Sequence, residues 1–378
     1  MIDRRLRIVL IVPSLASGGA ERVVQVLSNA LLTRGHEVWV ATTTDRPDFY
    51  ELAPNVHRIR CNLTGQPAGQ ALSPKHVKST ALALPGSFAE LCKQIKATEP
   101  DVVVGVLEHS NITALMCSGD APVVITEHID PNRFQLGMTA KLARRALYPK
   151  ATALISVSAG VDSAFDWLDA SRRHIIHNPV ELPEHVHDIE ARKPTIIAMG
   201  RLTPQKGFDL LLIAFNQIQR DNPQWDLKIL GEGPDRPKLE RMISELGLEG
   251  RVQMPGLVSD ISPELADASM FVLSSRYEGF GNVLIEALAH GTPVVSFDCP
   301  YGPSEIVDHG KNGLLVKPED PAALAEAMDQ LLSDADLRHD LAKASRSSVA
   351  RFGSDRIAAQ WESTLYELLG DHPEAAAA

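Results

Sequence analysis

Short apolar runs of strand length recur along the chain, separated by stretches whose apolar residues return every three or four positions. Leu6–Val12 reads as a strand, Ala20–Thr33 as a helix closed by Gly35, and Glu37–Thr43 as a second strand. Three more runs, Val102–Leu107, Val123–Glu127 and Ala153–Val157, are continuously apolar, as parallel strands buried on both faces are. Phe88–Thr98 and Thr139–Leu147 read as helices between them. The pattern then breaks: Leu182–Lys193 is polar, lacks an apolar period and is punctuated by Pro179, Pro183 and Pro194, which reads as a linker. A second alternating series follows. Strands are expected at Thr195–Met199, Asp226–Leu230, Val252–Met254, Met270–Leu273 and Pro293–Phe297. Helices are expected at Gly207–Gln219, Asp235–Leu246, Ala322–Leu332, Leu337–Ser347 and Asp355–Leu369. Two consecutive series predict two doubly wound α/β domains facing each other across a cleft. The expected divisions are 1–181 and 182–354, with a terminal helix at 355–370 and a disordered tail at 371–378.

One turn stands out. Residues 278–286 read Glu-Gly-Phe-Gly-Asn-Val-Leu-Ile-Glu, between an apolar strand-like run, Ala268–Ser275, and a helical stretch, Asn282–His290, that stops at Gly291. Glu278 is expected in the loop facing a helix N-terminus and Glu286 about one turn inside the helix. A helix N-terminus offers free N–H groups and partial positive charge, which suit a phosphate. Carboxylates are poor phosphate ligands but good acceptors for sugar and ribose hydroxyls. A diphosphate between two hydroxyl-rich groups describes a nucleotide-sugar.

Other turns at the carboxyl ends of strands carry candidate chemistry. Gly18 and Gly19 open the first helix and let backbone approach a ligand, but the nicotinamide fingerprint GxGxxG is missing, which disfavours a dehydrogenase. Arg201 and Lys206 stand at the first turn of the second series, suited to phosphate contact, or simply solvated surface cations if taken alone. Gly231-Glu232-Gly233-Pro234 is either a nucleotide-approaching turn or an ordinary tight one, and Leu257 after the next strand offers an apolar face to a base. His128 ends the strand Val123–Glu127, where it either meets a reacting sugar or is structural. Thr139–Leu147 carries Lys141, Arg144 and Arg145, with Met138, Leu142 and Leu147 as apolar partners. It reads either as a helix packed on its own domain or as a basic amphipathic helix for a membrane surface or lipid pyrophosphate. Lys75, Lys78, Lys93 and Lys96 form a second basic set.

Composition narrows this picture. With 378 residues, 44% hydrophobic and 22% charged, the chain suits a soluble two-domain enzyme. No apolar run approaches the ~20 residues of a membrane span, and no signal peptide is expected, so a cytoplasmic location follows. Cys61, Cys92, Cys117 and Cys299 are scattered without a CxxC pair, so neither a disulfide nor a zinc site is expected. Asp334-Ala-Asp336 lies between late helices, so no metal dependence is expected. Residues 1–180 hold 19 Lys and Arg against 16 Asp and Glu, whereas residues 181–378 hold 18 against 32. That asymmetry either is ordinary surface composition or turns the first half toward an anionic partner such as a membrane face. A net charge of −11 and 5% aromatic residues disfavour nucleic acid.

Taken together, GGAER, GRLTPQKG, GEGP, EGFGNVLIEALAHGTPVV and NGLLVKP resemble the retaining glycosyltransferases of family 4, with the two-Rossmann-domain GT-B fold. The match spans nearly the whole chain. PYGPSEIV and TEH look most similar to the branch that extends lipid-linked oligosaccharides or exopolysaccharides. The resemblance implies that Glu278 holds a donor-sugar hydroxyl, Glu286 the ribose hydroxyls, and Arg201 and Lys206 the diphosphate. Gly18 and Gly19 would approach the phosphates, Glu232 and Leu257 would lie at the nucleotide, and backbone at Phe280, Gly281, Asn282 and Val283 would add contacts. His128 would sit near the sugar's C6 and the reaction centre. The last helix would cross back onto the first domain. The implied partners are a UDP-linked donor, without metal or other cofactor, and a polyprenyl-diphosphate-linked oligosaccharide or glycolipid acceptor. The chain would be a monomer on the inner face of the plasma membrane. A non-catalytic nucleotide-sugar-binding partner and a UDP-sugar epimerase of the same fold are the rival readings.

Overall fold

The computed structural model describes residues 4–65, 85–133 and 137–370. Lys75, Lys78 and the expected tail at 371–378 lie outside the described residues. The chain divides into two compact units. The first comprises Met1–Pro179 with Ser354–Ala378, the second Val180–Gly353.

The first unit is built on seven parallel strands: β1 (Arg7–Val12), β2 (Glu37–Thr42), β3 (His57–Arg60), β4 (Val102–Val106), β5 (Val123–Glu127), β6 (Ala153–Ser156) and β7 (Arg173–Ile175), in the order β3-β2-β1-β4-β5-β6-β7. The second holds six: β8 (Lys193–Met199), β9 (Asp226–Leu230), β10 (Val252–Gly256), β11 (Ala268–Leu273), β12 (Val294–Phe297) and β13 (Gly313–Val316), in the order β10-β9-β8-β11-β12-β13. Each sheet therefore reverses strand order once, between β1 and β4 and between β8 and β11. Loops leaving the carboxyl ends of such a pair diverge and leave a crevice, the place where open α/β sheets take ligands. The central strands β4, β5, β11 and β12 are buried at every residue, as their unbroken apolar runs require.

Several elements depart from the sequence reading. The helix Glu108–Cys117 escapes notice because its polarity is inverted: Glu108, Ser110 and Asn111 are buried while Met116 is 57% exposed. Short edge strands β3 and β7 have too few apolar positions to register. Cys92 and Cys117 form a disulfide, which corrects the expectation of none. The helix Pro85–Ala97 packs against Glu108–Cys117 and brings the two Cα atoms within 4.5 Å. The expected linker is anchored rather than free. Buried Arg192 donates to Thr292 Oγ1 at 2.8 Å, to His290 O at 2.7 Å and to Ala268 O at 3.1 Å, tying the segment into the second unit. Burial lowers its pKa to about 10.

The last helix, Ser354–Leu368, belongs to the first unit, although the whole second unit precedes it in sequence. It places Ile357, Ala358, Trp361, Leu365 and Tyr366 in the core that holds Leu6, Ile8, Val24 and Leu27. His36 pins it further, since Nδ1 accepts from Leu6 N at 3.3 Å and Nε2 meets Glu362 at 3.1 Å. Trp361 is 5% exposed, so Trp361→Ala is expected to lower stability in urea unfolding by about 3–5 kcal/mol. A loss under ~1 kcal/mol would show the helix to be peripheral to that core.

Candidate functional site

In the second unit the site grows from the reversal between β8 and β11. β8 runs into Gly200–Gly207 and β11 into Ser274–Gly281, so the two loops lie side by side. Arg276 N donates to Gln205 O at 2.8 Å, Gln205 Nε2 to Tyr277 O at 3.0 Å, and Ser274 Oγ to Lys206 O at 2.9 Å. Gly207, at φ 61°, is indispensable to this contact, because a Cβ there would lie 2.0 Å from Ser274 O. Arg276 adds contacts to Asp209 at 3.0 and 3.1 Å.

This stitching brings Lys206 Nζ to 2.6 Å from Glu278 Oε1, and the same oxygen accepts from Ser275 Oγ at 2.6 Å. Both side chains are largely buried, at 17% and 8% exposure. Lys206, read from the sequence as a phosphate contact or, taken alone, a solvated surface cation, is here half of an ion pair. Arg201 differs: it is exposed, and among the described residues its side chain makes no ion pair. Buried Cys299 lies close enough to Glu278 for that charge to add to the effect of burial in pushing its thiol pKa up.

The helix Asn282–Ala289 opens directly after Glu278, with Gly281 preceding its first turn at φ 102°. Its amino end thus presents the partial positive charge expected at 278–286, and half-buried Glu286 lies inside it. Phe280 is buried edge-on to Phe352, at 5.4 Å between ring centres. The β9 and β10 loops join the same edge: Leu202 N donates to Glu232 O at 2.9 Å and Gly231 N to Gly256 O at 2.8 Å. The Glu232 carboxylate pairs with Arg236 at 2.6 Å, and Leu257 is 51% exposed. Arg201, Lys206, Glu232, Leu257, Glu278 and the 280–286 segment therefore share one sheet edge. The two aspartates of Asp334-Ala-Asp336 stand elsewhere, and Asp334 caps a helix through Leu337 N at 2.9 Å. Among the described residues no group of three or more His, Cys, Asp or Glu is placed to hold a metal ion.

In the first unit Gly18 is extended (φ −175°) and Gly19 begins the helix Gly19–Thr33 at the end of β1. Beyond β4 and β5 lies a polar cluster that the sequence reading missed apart from His128. Asn111 grips the Thr126 peptide from both sides, Oδ1 accepting from Thr126 N at 3.2 Å and Nδ2 donating to Thr126 O at 2.9 Å. Gly105 makes this approach possible, since a Cβ there would lie 2.6 Å from Asn111 Cα. Asn111 Nδ2 also donates to Glu127 Oε1 at 3.1 Å, and Tyr148 OH makes a short hydrogen bond to the same oxygen. Glu108, 6% exposed, lies close enough to Glu127 for that charge to act on it. Burial raises the pKa of both Glu108 and Glu127 to about 7. The Glu127 charge adds to the rise at Glu108, while Arg144 opposes it at both.

Arg144 thus serves the interior, and its guanidinium also lies 5.6 Å from the Phe165 ring centre, while Arg145 stacks on Trp167 at 4.1 Å. Met138 and Leu142, named from the sequence as the apolar partners of the basic residues on this helix, are 72% and 64% exposed. They share the open face of the helix Met138–Leu147 with Lys141 and Arg145. No helix among the described residues is long and apolar enough to cross a membrane.

The raised carboxyls carry a pH signature. Between the usual 4.5 and about 7 the folded chain binds more protons than the unfolded one, so their contribution to stability declines as pH rises through that window. Glu108→Gln is therefore expected to gain melting temperature relative to wild type on going from pH 5 to pH 8. A difference that does not change with pH would contradict the raised pair.

Known proteins resemble this chain in sequence and in fold. The family profile "Glycosyl transferases group 1" matches residues 183–348 and "Glycosyltransferase Family 4" matches residues 17–184. An exopolysaccharide phosphotransferase of Streptomyces coelicolor is 31% identical over 82% of this chain, which spans 32% of that relative's length. The Campylobacter jejuni N-acetylgalactosamine-N,N'-diacetylbacillosaminyl-diphospho-undecaprenol 4-alpha-N-acetylgalactosaminyltransferase is 28% identical, with 91% of this chain and 95% of that one covered. Among solved structures, Anabaena HepE in complex with UDP and glucose superposes with a TM-score of 0.78 at 22% identity, covering 96% of this chain and 99% of that one. Sucrose-phosphate synthase from Thermosynechococcus elongatus gives 0.83 at 24%, covering 97% and 100%. The two profiles adjoin and together span residues 17–348, each unit carries the doubly wound sheet of the GT-B fold, and the chain belongs to the group 1 and family 4 glycosyltransferases.

Proposed function

We propose that this glycosyltransferase moves a hexose or N-acetylhexosamine, with retention, from a UDP-sugar to a hydroxyl of a polyprenyl-diphosphate-linked oligosaccharide. The observation that carries the donor half is the shared edge of β8 and β11. There an exposed arginine stands on the loop after β8, a lysine of that loop pairs with a buried glutamate of the loop after β11, and the amino end of a helix follows the glutamate. Phosphate needs that positive field, and sugar hydroxyls need the carboxylates beside it. UDP bound to HepE, and the diphospho-undecaprenol in the Campylobacter relative's name, support the choice of donor and acceptor.

In this reading the bond from the anomeric carbon to the diphosphate breaks as the acceptor oxygen bonds on the same face. The acceptor's proton passes to the departing phosphate oxygen, so no carboxylate base is required. The protein's task is to stabilise charge gathering on the diphosphate and to hold the reactants in place. Arg201 and Lys206 supply the charge, Glu278 positions the sugar, and Glu286 holds the ribose.

The exposed face of Met138–Leu147 completes the reading. Met138 and Leu142 beside Lys141 and Arg145 suit an anionic membrane surface, which keeps a lipid-linked acceptor near the first unit.

Arg201→Ala tests the donor site cleanly because that side chain is exposed and makes no ion pair among the described residues. It is expected to lose at least about a hundredfold in kcat, roughly 2.7–4 kcal/mol, with an unchanged circular-dichroism spectrum. Retained turnover would remove the phosphate assignment. Glu286→Ala should raise the donor KM strongly, and a change confined to kcat would contradict a ribose contact. Changing Lys141, Leu142 and Arg145 together to alanine should reduce co-sedimentation with phosphatidylglycerol vesicles, whereas equal sedimentation would take the helix out of the argument.

A further inference from the structure

Three cysteines of the first unit meet at one helix. Cys92 of the helix Pro85–Ala97 is bonded to Cys117, the last residue of Glu108–Cys117. Cys61, which follows β3, donates its thiol to Ser87 O in the first turn of Pro85–Ala97 at 3.1 Å. Burial and the Glu90 carboxylate on the same helix push the Cys61 thiol pKa up. Packing holds this helix lightly. Among its described residues only Leu91 and Ile95 are buried, so the disulfide supplies much of its attachment.

The two bonded sulfurs differ in access. Cys117 is fully buried, whereas Cys92 is half-buried and is followed by the exposed Lys93 and, one turn on, the exposed Lys96. The Lys96 side chain also crosses the turn after Cys117, since a Cβ at Gly119 would lie 3.0 Å from its Cε. A nearby ammonium favours a thiolate, both the one that attacks and the one that is released.

We propose that Cys92–Cys117 is a redox-sensitive clamp: a dithiol reductant enters at Cys92, and opening the bond frees Pro85–Ala97 and uncovers Cys61. One thiolate of the dithiol attacks Cys92 Sγ, the bond to Cys117 breaks, and Cys117 leaves as a thiolate that takes up a proton. The second thiol of the reductant gives up its proton and displaces Cys92 Sγ, which is protonated in turn as the reductant closes its own disulfide. Two electrons and two protons pass from the dithiol to the protein. Lys93 and Lys96, which the transfer reaction leaves unused, find their role here. The clamp lies wholly within the first unit and does not depend on the donor site.

Cys61 is the reporter. Native wild-type chain, purified without reductant, is alkylated with iodoacetamide and read residue by residue by mass spectrometry. Cys92 and Cys117 are expected to stay unmodified until dithiothreitol is added, with no denaturant present. After anaerobic removal of dithiothreitol, Cys61 should react at least about tenfold faster than in the oxidised chain, as local release of its cover requires. Brief exposure to glutathione, quenched with acid, should leave the mixed disulfide on Cys92. Free thiols at Cys92 and Cys117 in the unreduced chain would overturn the proposal. So would reduction that needs denaturant, a mixed disulfide on Cys117, or a Cys61 rate unchanged by reduction. Cys92→Ala combined with Cys117→Ala removes the clamp without reductant and should alkylate Cys61 at the reduced rate; the oxidised rate in that variant would also overturn it. If the variant does not fold, the reduced wild-type chain decides the same question.

Discussion

The ion pair between Lys206 and Glu278 exists because two strands far apart in sequence, β8 and β11, are neighbours in one parallel sheet. Parallel strands end on the same edge, so the loops that leave them meet there, and only at a reversal of strand order do they open a crevice rather than cover it. A carboxylate with 8% of its side chain exposed would be costly alone. Lysine, the Ser275 hydroxyl and the nearby helix terminus together make it tolerable. The remaining contacts at this edge, including the close pass of Gly207 under Ser274, secure the distance between those two loops.

The first unit solves the same problem with different chemistry. Its carboxyl edge holds two glutamates that make no ion pair among the described residues, and it lowers their cost by keeping protons on them to higher pH. Asn111, Tyr148 and Thr126 then act as a rigid polar frame around the end of β5. Arg144 faces this frame while Arg145, the next residue, lies on Trp167, so one short helix serves both the interior and the surface.

Most of the architecture was legible in the apolar periodicity. β5 and β9 were read from end to end, and the helices Gly19–Thr33 and Asn282–Ala289 to within a residue or so at each end. Buried parallel strands and long amphipathic helices write the clearest patterns. The edge strands β3 and β7 escaped because they are short and half-exposed, and the helix Glu108–Cys117 because it buries its polar face; the four-residue apolar strand β13 was also missed. The disulfide escaped because Cys92 and Cys117 are 25 residues apart and meet only through helix packing. The linker reading stands beside the boundary between the units, after Pro179; what it did not show is that Arg192 ties the end of the segment into the second unit.

By itself the sequence determined the element types, the two-series organisation and the family, because these depend on local periodicity and on short motifs whose residues are contiguous. It also marked Glu278, Glu286, Arg201 and Lys206 as a set. Tertiary structure alone decided how those residues are paired. Lys206 is paired with Glu278 while Arg201 makes no ion pair among the described residues, Arg144 turns inward, and the last helix completes the core of the first unit. Each outcome depends on distances between residues from 3 to over 300 positions apart, and those follow from strand order and helix packing rather than from any local pattern.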